Sequence, residues 1–223
     1  LARELSDYFT FEVPGASFMP AYRNKVWDGK IRLFSAQTGK IYVGLLPYIE
    51  QFCSTNEIEY ILDGEVKDEK LNLQRNTTAD FIKSLRPTSN GKVLDIRDYQ
   101  IDAVFTAIRN HRNLFLSPTA SGKSLIIYAI IRYYNILLEN QKILILVPTT
   151  SLVEQMYSDF IDYGWSDDYL HRIYAGHERD TDKSVVISTW QSLYKMKKPY
   201  FKQFGCVIGD EAHLFKAKSL TSI

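Results

Sequence analysis

Ser117-Pro-Thr-Ala-Ser-Gly-Lys-Ser124 decides how this chain of 223 residues is read. The octapeptide sits between Asn113 to Ser117, which the apolar pattern predicts as a strand, and Gly122 to Leu138, which reads as a helix. A phosphate is held without other chemistry when backbone N–H groups converge on it from a tight loop and from the first turn of a helix, whose dipole favours an anion. In such a loop Pro118, Thr119, Ala120 and Ser121 wrap the phosphates, and Gly122 permits the close approach. Lys123 reaches the β- and γ-phosphates as a point charge, and the Ser124 hydroxyl coordinates Mg2+. Ser117 stands where a glycine is commoner, so the strand-loop-helix setting and a partner motif carry the reading more than the letters do.

The partner lies downstream. Cys206-Val-Ile-Gly-Asp-Glu-Ala-His213 is a short apolar strand that delivers two carboxylates and a histidine at its C-terminal end, where ligand sites of open α/β sheets lie. Asp210 is placed to hold Mg2+ from the side opposite Ser124, and Glu211 to orient and deprotonate an attacking water. His213 completes the motif, although a single histidine after a strand is commonly just packed or solvent-facing.

Around these two motifs the chain alternates strands and helices. Lys142 to Val147, Arg172 to Tyr174, Val185 to Ser188 and Cys206 to Ile208 are predicted strands; Asp98 to Arg109 and Ser151 to Tyr163 are predicted helices. That order predicts an α/β unit, a parallel sheet with helices on both faces. Residues 1 to 90 differ in texture, with short strands, glycine turns and helical pieces, and Arg86 to Lys92 reads as a linker. Two domains are therefore expected, 1–90 and 91–223, the first a small α+β domain with a β-hairpin.

Lys and Arg total 27 against 26 acidic residues, so any nucleic-acid surface has to be a local patch. Cys53 and Cys206 have neither metal-ligand spacing nor the density of a disulfide scaffold. The longest apolar run, Leu125 to Ile131, is too short to span a bilayer, and no secretory pattern opens the sequence, which places the chain in a cytoplasm.

With the Lys123 loop in place, Asp210-Glu-Ala-His213 resembles the DEAH-box type of superfamily two helicases. The resemblance implies a RecA-like, P-loop NTPase fold, ATP and Mg2+ as cofactors, and catalytic roles for Lys123, Asp210, Glu211 and His213. Arg97-Asp-Tyr-Gln100 resembles the element of that family that recognises adenine, with Gln100 on the base edge. Val147 to Gln155 resembles a segment contacting the nucleic-acid backbone. Hydroxyls of Thr149 and Thr150, after Pro148 at a helix start, suit a phosphate on physical grounds as well. Ser188 to Leu193 resembles a later strand-contacting motif, with Thr189 and Gln191 as donors, and Tyr174-Ala-Gly-His177 a looser intervening one.

In the first region, Arg23, Lys25, Lys30 and Arg32 interleave with Tyr22, Trp27 and Phe34, which suits either a nucleic-acid surface or an aromatic core under a solvated cationic face. The Trp27 to Phe34 stretch resembles the front of phage recombination helicases. That resemblance implies action on branched, forked or single-stranded DNA, with no membrane partner and, for a phage protein, a host cytoplasm. Few residues follow His213, so the second motor domain and its arginine fingers are expected to be missing. Since such an arginine supplies roughly 10³ to 10⁵ in rate, this polypeptide alone is expected to hydrolyse ATP barely or not at all. Two rivals remain: a DNA-binding module with a structural nucleotide site, and a P-loop ATPase of another kind, which needs neither Gln100 upstream nor the DEAH order.

Overall fold

A computed structural model of the chain describes residues 1–64, 70–174, 176 and 178–212. They fall into two compact units, Leu1–Asp68 and Glu69–Ile223.

The first unit comprises α1 (Ala2–Tyr8), β1 (Thr10–Glu12), α2 (Pro20–Arg23), β2 (Lys30–Arg32), β3 (Phe34–Ser35), β4 (Lys40–Ile41) and α3 (Leu46–Thr55). β1 pairs antiparallel with β2, and β3 with β4 across the turn at Gly39. Its small core gathers Phe9, Phe34, Phe52 and Cys53, with the Tyr8 ring 5.0 Å from both Phe9 and Phe52. The two sequence readings of this region are therefore divided between residues. Phe34 is core, Trp27 is half-buried with its indole N–H on the Lys30 carbonyl at 2.8 Å, and Tyr22 is exposed.

The second unit runs α4 (Arg75–Ser84), β5 (Thr88–Ser89), β6 (Lys92–Val93), α5 (Asp98–Asn110), α6 (Lys123–Leu137), β7 (Lys142–Val147), α7 (Thr150–Asp162), β8 (Leu170–Ile173), β9 (Val185–Thr189), α8 (Trp190–Leu193), α9 (Lys198–Phe201) and β10 (Phe204–Gly209). Among the described residues the central sheet is parallel in the order β10-β7-β9-β8. β7 is apolar at successive positions because both its faces are covered. Ile143, Ile145 and Val147 pack into the core shared with α4 to α7, whereas Leu144 and Leu146 pack with Leu193, Met196 and Tyr200 on the opposite face. The fold is RecA-like, as the motif order implies. On the larger side Tyr128 and Phe160 are fully buried with ring centroids 5.9 Å apart; each such side chain contributes roughly 1.5–3 kcal/mol through burial. No helix among the described residues is long and apolar enough to cross a membrane.

Two expectations need correction. The segment from Asn113 to Ser117 is not a strand: Leu114 is 80% and Leu116 95% exposed, and the described strand nearest in function, β10, pairs only with β7. An apolar run becomes a strand only when a neighbouring edge takes up its N–H and C=O groups, and among the described residues none does so here. Arg86 to Lys92 is not a loose linker. It is a hairpin, β5-β6, turning through Asn90 (φ 51°) and Gly91 (φ 75°), a two-residue loop that needs positive φ at both positions. Asp162 at the end of α7 fastens it: Thr88 Oγ1 donates to the Asp162 carbonyl at 2.6 Å, and the Asn90 N–H to its carboxylate at 3.0 Å. The compact units accordingly divide after Asp68, not near residue 90, because α4 sends Ile82, 1% exposed, into the core of the second unit.

Candidate nucleotide and nucleic-acid sites

The phosphate loop is shaped by local backbone geometry and by braces from α5. Ala120 (φ 64°) and Gly122 (φ 76°) both take left-handed conformations, which turn the chain sharply into α6. Ser117 and Ser121 share a hydroxyl hydrogen bond of 2.5 Å across the loop. The Ser121 carbonyl accepts from the Tyr99 hydroxyl at 2.8 Å and from Gln100 Nε2 at 3.2 Å. Gln100 is buried, and its Oε1 accepts the Arg97 N–H at 3.0 Å in a capping box that starts α5. Its amide therefore holds the loop. No side chain caps the start of α6, so the N–H groups of that first turn are open to an anion.

Lys123 opens α6 and extends towards β10, 88 positions along the chain, where its ammonium forms an ion pair with the Glu211 carboxylate. That hydrogen bond raises the lysine pKa against the opposing pull of partial burial, and the nearby charge of Asp210 raises it further. Asp210 is fixed by its own backbone, its N–H donating to the Leu146 carbonyl at 2.9 Å at the top of β7. Its Oδ1 accepts the Glu211 N–H at 3.0 Å, and Glu211 adopts φ 52°. The strand end thus presents both carboxylates to the lysine of the loop.

Ser124 faces elsewhere, its hydroxyl 3.0 Å from the Tyr163 hydroxyl next to the end of α7. The half-buried Asp159 carboxyl, pushed up by burial, is held back by a hydrogen bond from the same serine. The two expected metal ligands, Ser124 and Asp210, are not joined directly. Among the described residues no cluster of three or more His, Cys, Asp or Glu side chains exists to hold a metal. One carboxylate and one hydroxyl nevertheless fit Mg2+, which takes few protein oxygens and fills its octahedron with water and phosphate. His213 lies outside the described residues.

A second concavity, of about 590 Å3, collects the other motifs: Pro148, Thr149 and Thr150 after β7, Tyr174 and Gly176 after β8, Thr189 at the end of β9 and Gln191 just beyond it. Thr149 Oγ1 caps α7 by accepting the Leu152 N–H at 3.3 Å, and Thr189 Oγ1 accepts the Ser192 N–H at 3.3 Å. Gln191 Nε2 donates to the Pro148 carbonyl at 3.3 Å, tying two of the motifs together. Thr150 and Gln191 are exposed, whereas Thr189 is 4% exposed and acts chiefly as a cap. Ala175 and His177 are outside the described residues.

In the first unit a groove of about 870 Å3 is lined by Arg23, Lys25, Trp27 and Arg32 among others. Asp28 binds Arg32 so closely that its carboxyl is pulled down to about 2, chiefly by that hydrogen bond. Lys30 is 3.7 Å from Glu12. Arg23 donates to the Ser17 carbonyl at 3.2 Å, and among the described residues neither it nor Lys25 meets a carboxylate. Sequence reading did not single out Tyr99 and Tyr163, the partners of the loop; nothing in spacing reveals a contact such as Ser124–Tyr163, made 39 positions apart.

Residues 93–223 match the family described as type III restriction enzyme, res subunit. The chain belongs to the ResIII family. Ahead of the ResIII region, residues 1–63 match the N-terminal family of the DNA helicase UvsW. The ATP-dependent DNA helicase uvsW of Enterobacteria phage T4 is 39% identical over 99% of the chain, which spans 44% of that protein. A DNA 3'-5' translocase, XPB2 of Sulfurisphaera tokodaii, is 28% identical over 54% of the chain and 25% of its own length. Two crystal structures of the T4 protein superpose with TM-scores of 0.86 and 0.87 at 37% identity, covering the whole chain and 79% and 45% of those chains. The helicase resemblance read from the motifs is borne out.

Proposed function

We propose that the chain supplies the ATP-binding motor lobe and a DNA-recognition unit of an ATP-dependent helicase or translocase acting on branched DNA in recombination, replication and repair. The observation that carries this reading is the ion pair between Lys123 and Glu211 with Asp210 alongside. A triphosphate on the amides of residues 118–124 competes for the lysine ammonium, and Glu211, no longer paired with Lys123, would orient water and take its proton. Asp210 and Ser124 would hold Mg2+, which neutralises charge on the transferred phosphoryl group. Ser124 would ligate through a lone pair and keep its proton for Tyr163 or Asp159. Gln100 has a further N–H and lone pair beyond those committed to the Ser121 carbonyl and the Arg97 N–H, enough for an adenine edge. The test is ATP turnover by the longer protein with forked, duplex or single-stranded DNA. Hydrolysis stimulated by DNA is expected; tight DNA binding with no turnover at all would favour a binding module.

For the first unit, residues 1–68 are proposed to recognise DNA structure through the groove beside α2, with Arg23 and Lys25 as the working cations. The Asp28–Arg32 pair carries no net charge. Replacing both by Asn and Gln is therefore expected to leave the salt dependence of DNA binding unchanged. Lys25→Ala is expected to reduce the slope of log K against log salt by about 0.7 to 0.9, one phosphate contact. Titrations at several salt concentrations read both outcomes, and equal slopes for all proteins would exclude this groove.

A further inference from the structure

The concavity built by the ends of β7, β8 and β9 contains one cation that none of the motifs includes. Arg179 lines it beside Thr149, Thr150 and Gln191, and among the described lining residues it is the one charged side chain. Its guanidinium meets no carboxylate among the described residues; Nη1 donates to the Met196 sulfur at 3.8 Å, a weak acceptor. The backbone that presents it is fastened on both sides. The Glu178 carbonyl accepts from His171 of β8 at 2.8 Å, and the Arg179 carbonyl accepts from the Tyr200 hydroxyl of α9 at 3.1 Å. An arginine that is exposed, faces no carboxylate among the described residues and is carried on a pinned backbone is preorganised for an anion that arrives from solution. The neighbouring groups, hydroxyls and an amide, favour no base and suit a phosphodiester.

We infer that Arg179 is the charged phosphate contact of this groove, and that Tyr200 positions it by holding its carbonyl. This rests on the groove being a nucleic-acid-strand site, as the resemblance of Val147 to Gln155 and Ser188 to Leu193 implies. The experiment is binding of the full chain to a single-stranded oligonucleotide across a salt series. Arg179→Ala is expected to lower the slope of log K against log salt by about 0.7, with affinity lost most at low salt. Arg179→Lys is expected to restore the slope. Tyr200→Phe, which alters no charge, is expected to weaken binding equally at every salt concentration. If Thr150→Ala and Gln191→Ala weaken binding while Arg179→Ala keeps the parent slope, the assignment of Arg179 is overturned and the groove stands. If all of these variants bind as the parent does, the groove reading falls as well.

Discussion

Replacing Lys123 with alanine is expected to lower the ATP turnover of the longer, DNA-stimulated protein by about 10²- to 10³-fold, the usual cost of removing one preorganised charge stabiliser from a reacting centre. The geometry makes the loss more than that of a single cation. Lys123 also neutralises Glu211 and lies close to Asp210, so Lys123→Ala leaves two carboxylates facing the site of a polyanion. Nucleotide affinity should fall together with turnover. The double variant Lys123→Ala/Glu211→Gln separates the two effects: it should recover part of the nucleotide binding, because a repulsive charge is gone, and none of the hydrolysis. DNA binding, which uses other residues, should stay at the parent level in both. Turnover by Lys123→Ala at the parent rate would place the chemistry somewhere else.

The second large effect is expected at Gly122. Its φ of 76° belongs to the left-handed region, and a Cβ at this position would collide with Gln100 Nε2. Holding a non-glycine residue in such a conformation costs about 1 to 3 kcal/mol. If that energy comes out of nucleotide binding, the affinity of Gly122→Ala drops by roughly five- to more than a hundredfold. Because the collision and the backbone strain are separate causes, a double-mutant cycle divides them. Gln100→Ala removes the obstacle and also the clasp on Ser121, so Gly122→Ala/Gln100→Ala should bind nucleotide better than the sum of the single losses allows. Equilibrium titration with a fluorescent nucleotide measures all four proteins. A Gly122→Ala protein with parent affinity would mean that the loop does not cradle phosphate in this conformation.

The parts of this molecule legible in the sequence are those fixed by short-range rules. Four of the five strands expected in the second unit are present: β7 from Ile143 onward and β9 are buried along their length and carry apolar runs, whereas β8, Leu-His-Arg-Ile, is buried only at its two ends. Helices α5, α6 and α7 start and stop within about one residue of expectation. The fifth strand, Asn113 to Ser117, misled because periodicity reports what a segment can pair with and not whether a partner lies alongside. The hairpin at Asn90-Gly91 misled in the other direction: its Asn-Gly pair is a strong two-residue turn signal, outweighed in the reading by the polar composition around it. At the candidate site the lysine, the two carboxylates and the hydroxyls were legible as motifs. Their partners Tyr99 and Tyr163 were not, because a tyrosine takes its role from whatever the fold brings to it.

The first turn of α5 has a consequence for motion. Arg75, at the start of α4, binds the carboxylates of Asp98 and Asp102, and the two residues that follow Asp98, Tyr99 and Gln100, grip the Ser121 carbonyl. One short stretch of helix is therefore hinged to α4 on one flank and to the phosphate loop on the other. A tilt of α4 would therefore reach the Lys123 loop through two polar joints, with α5 as the rocker arm between them.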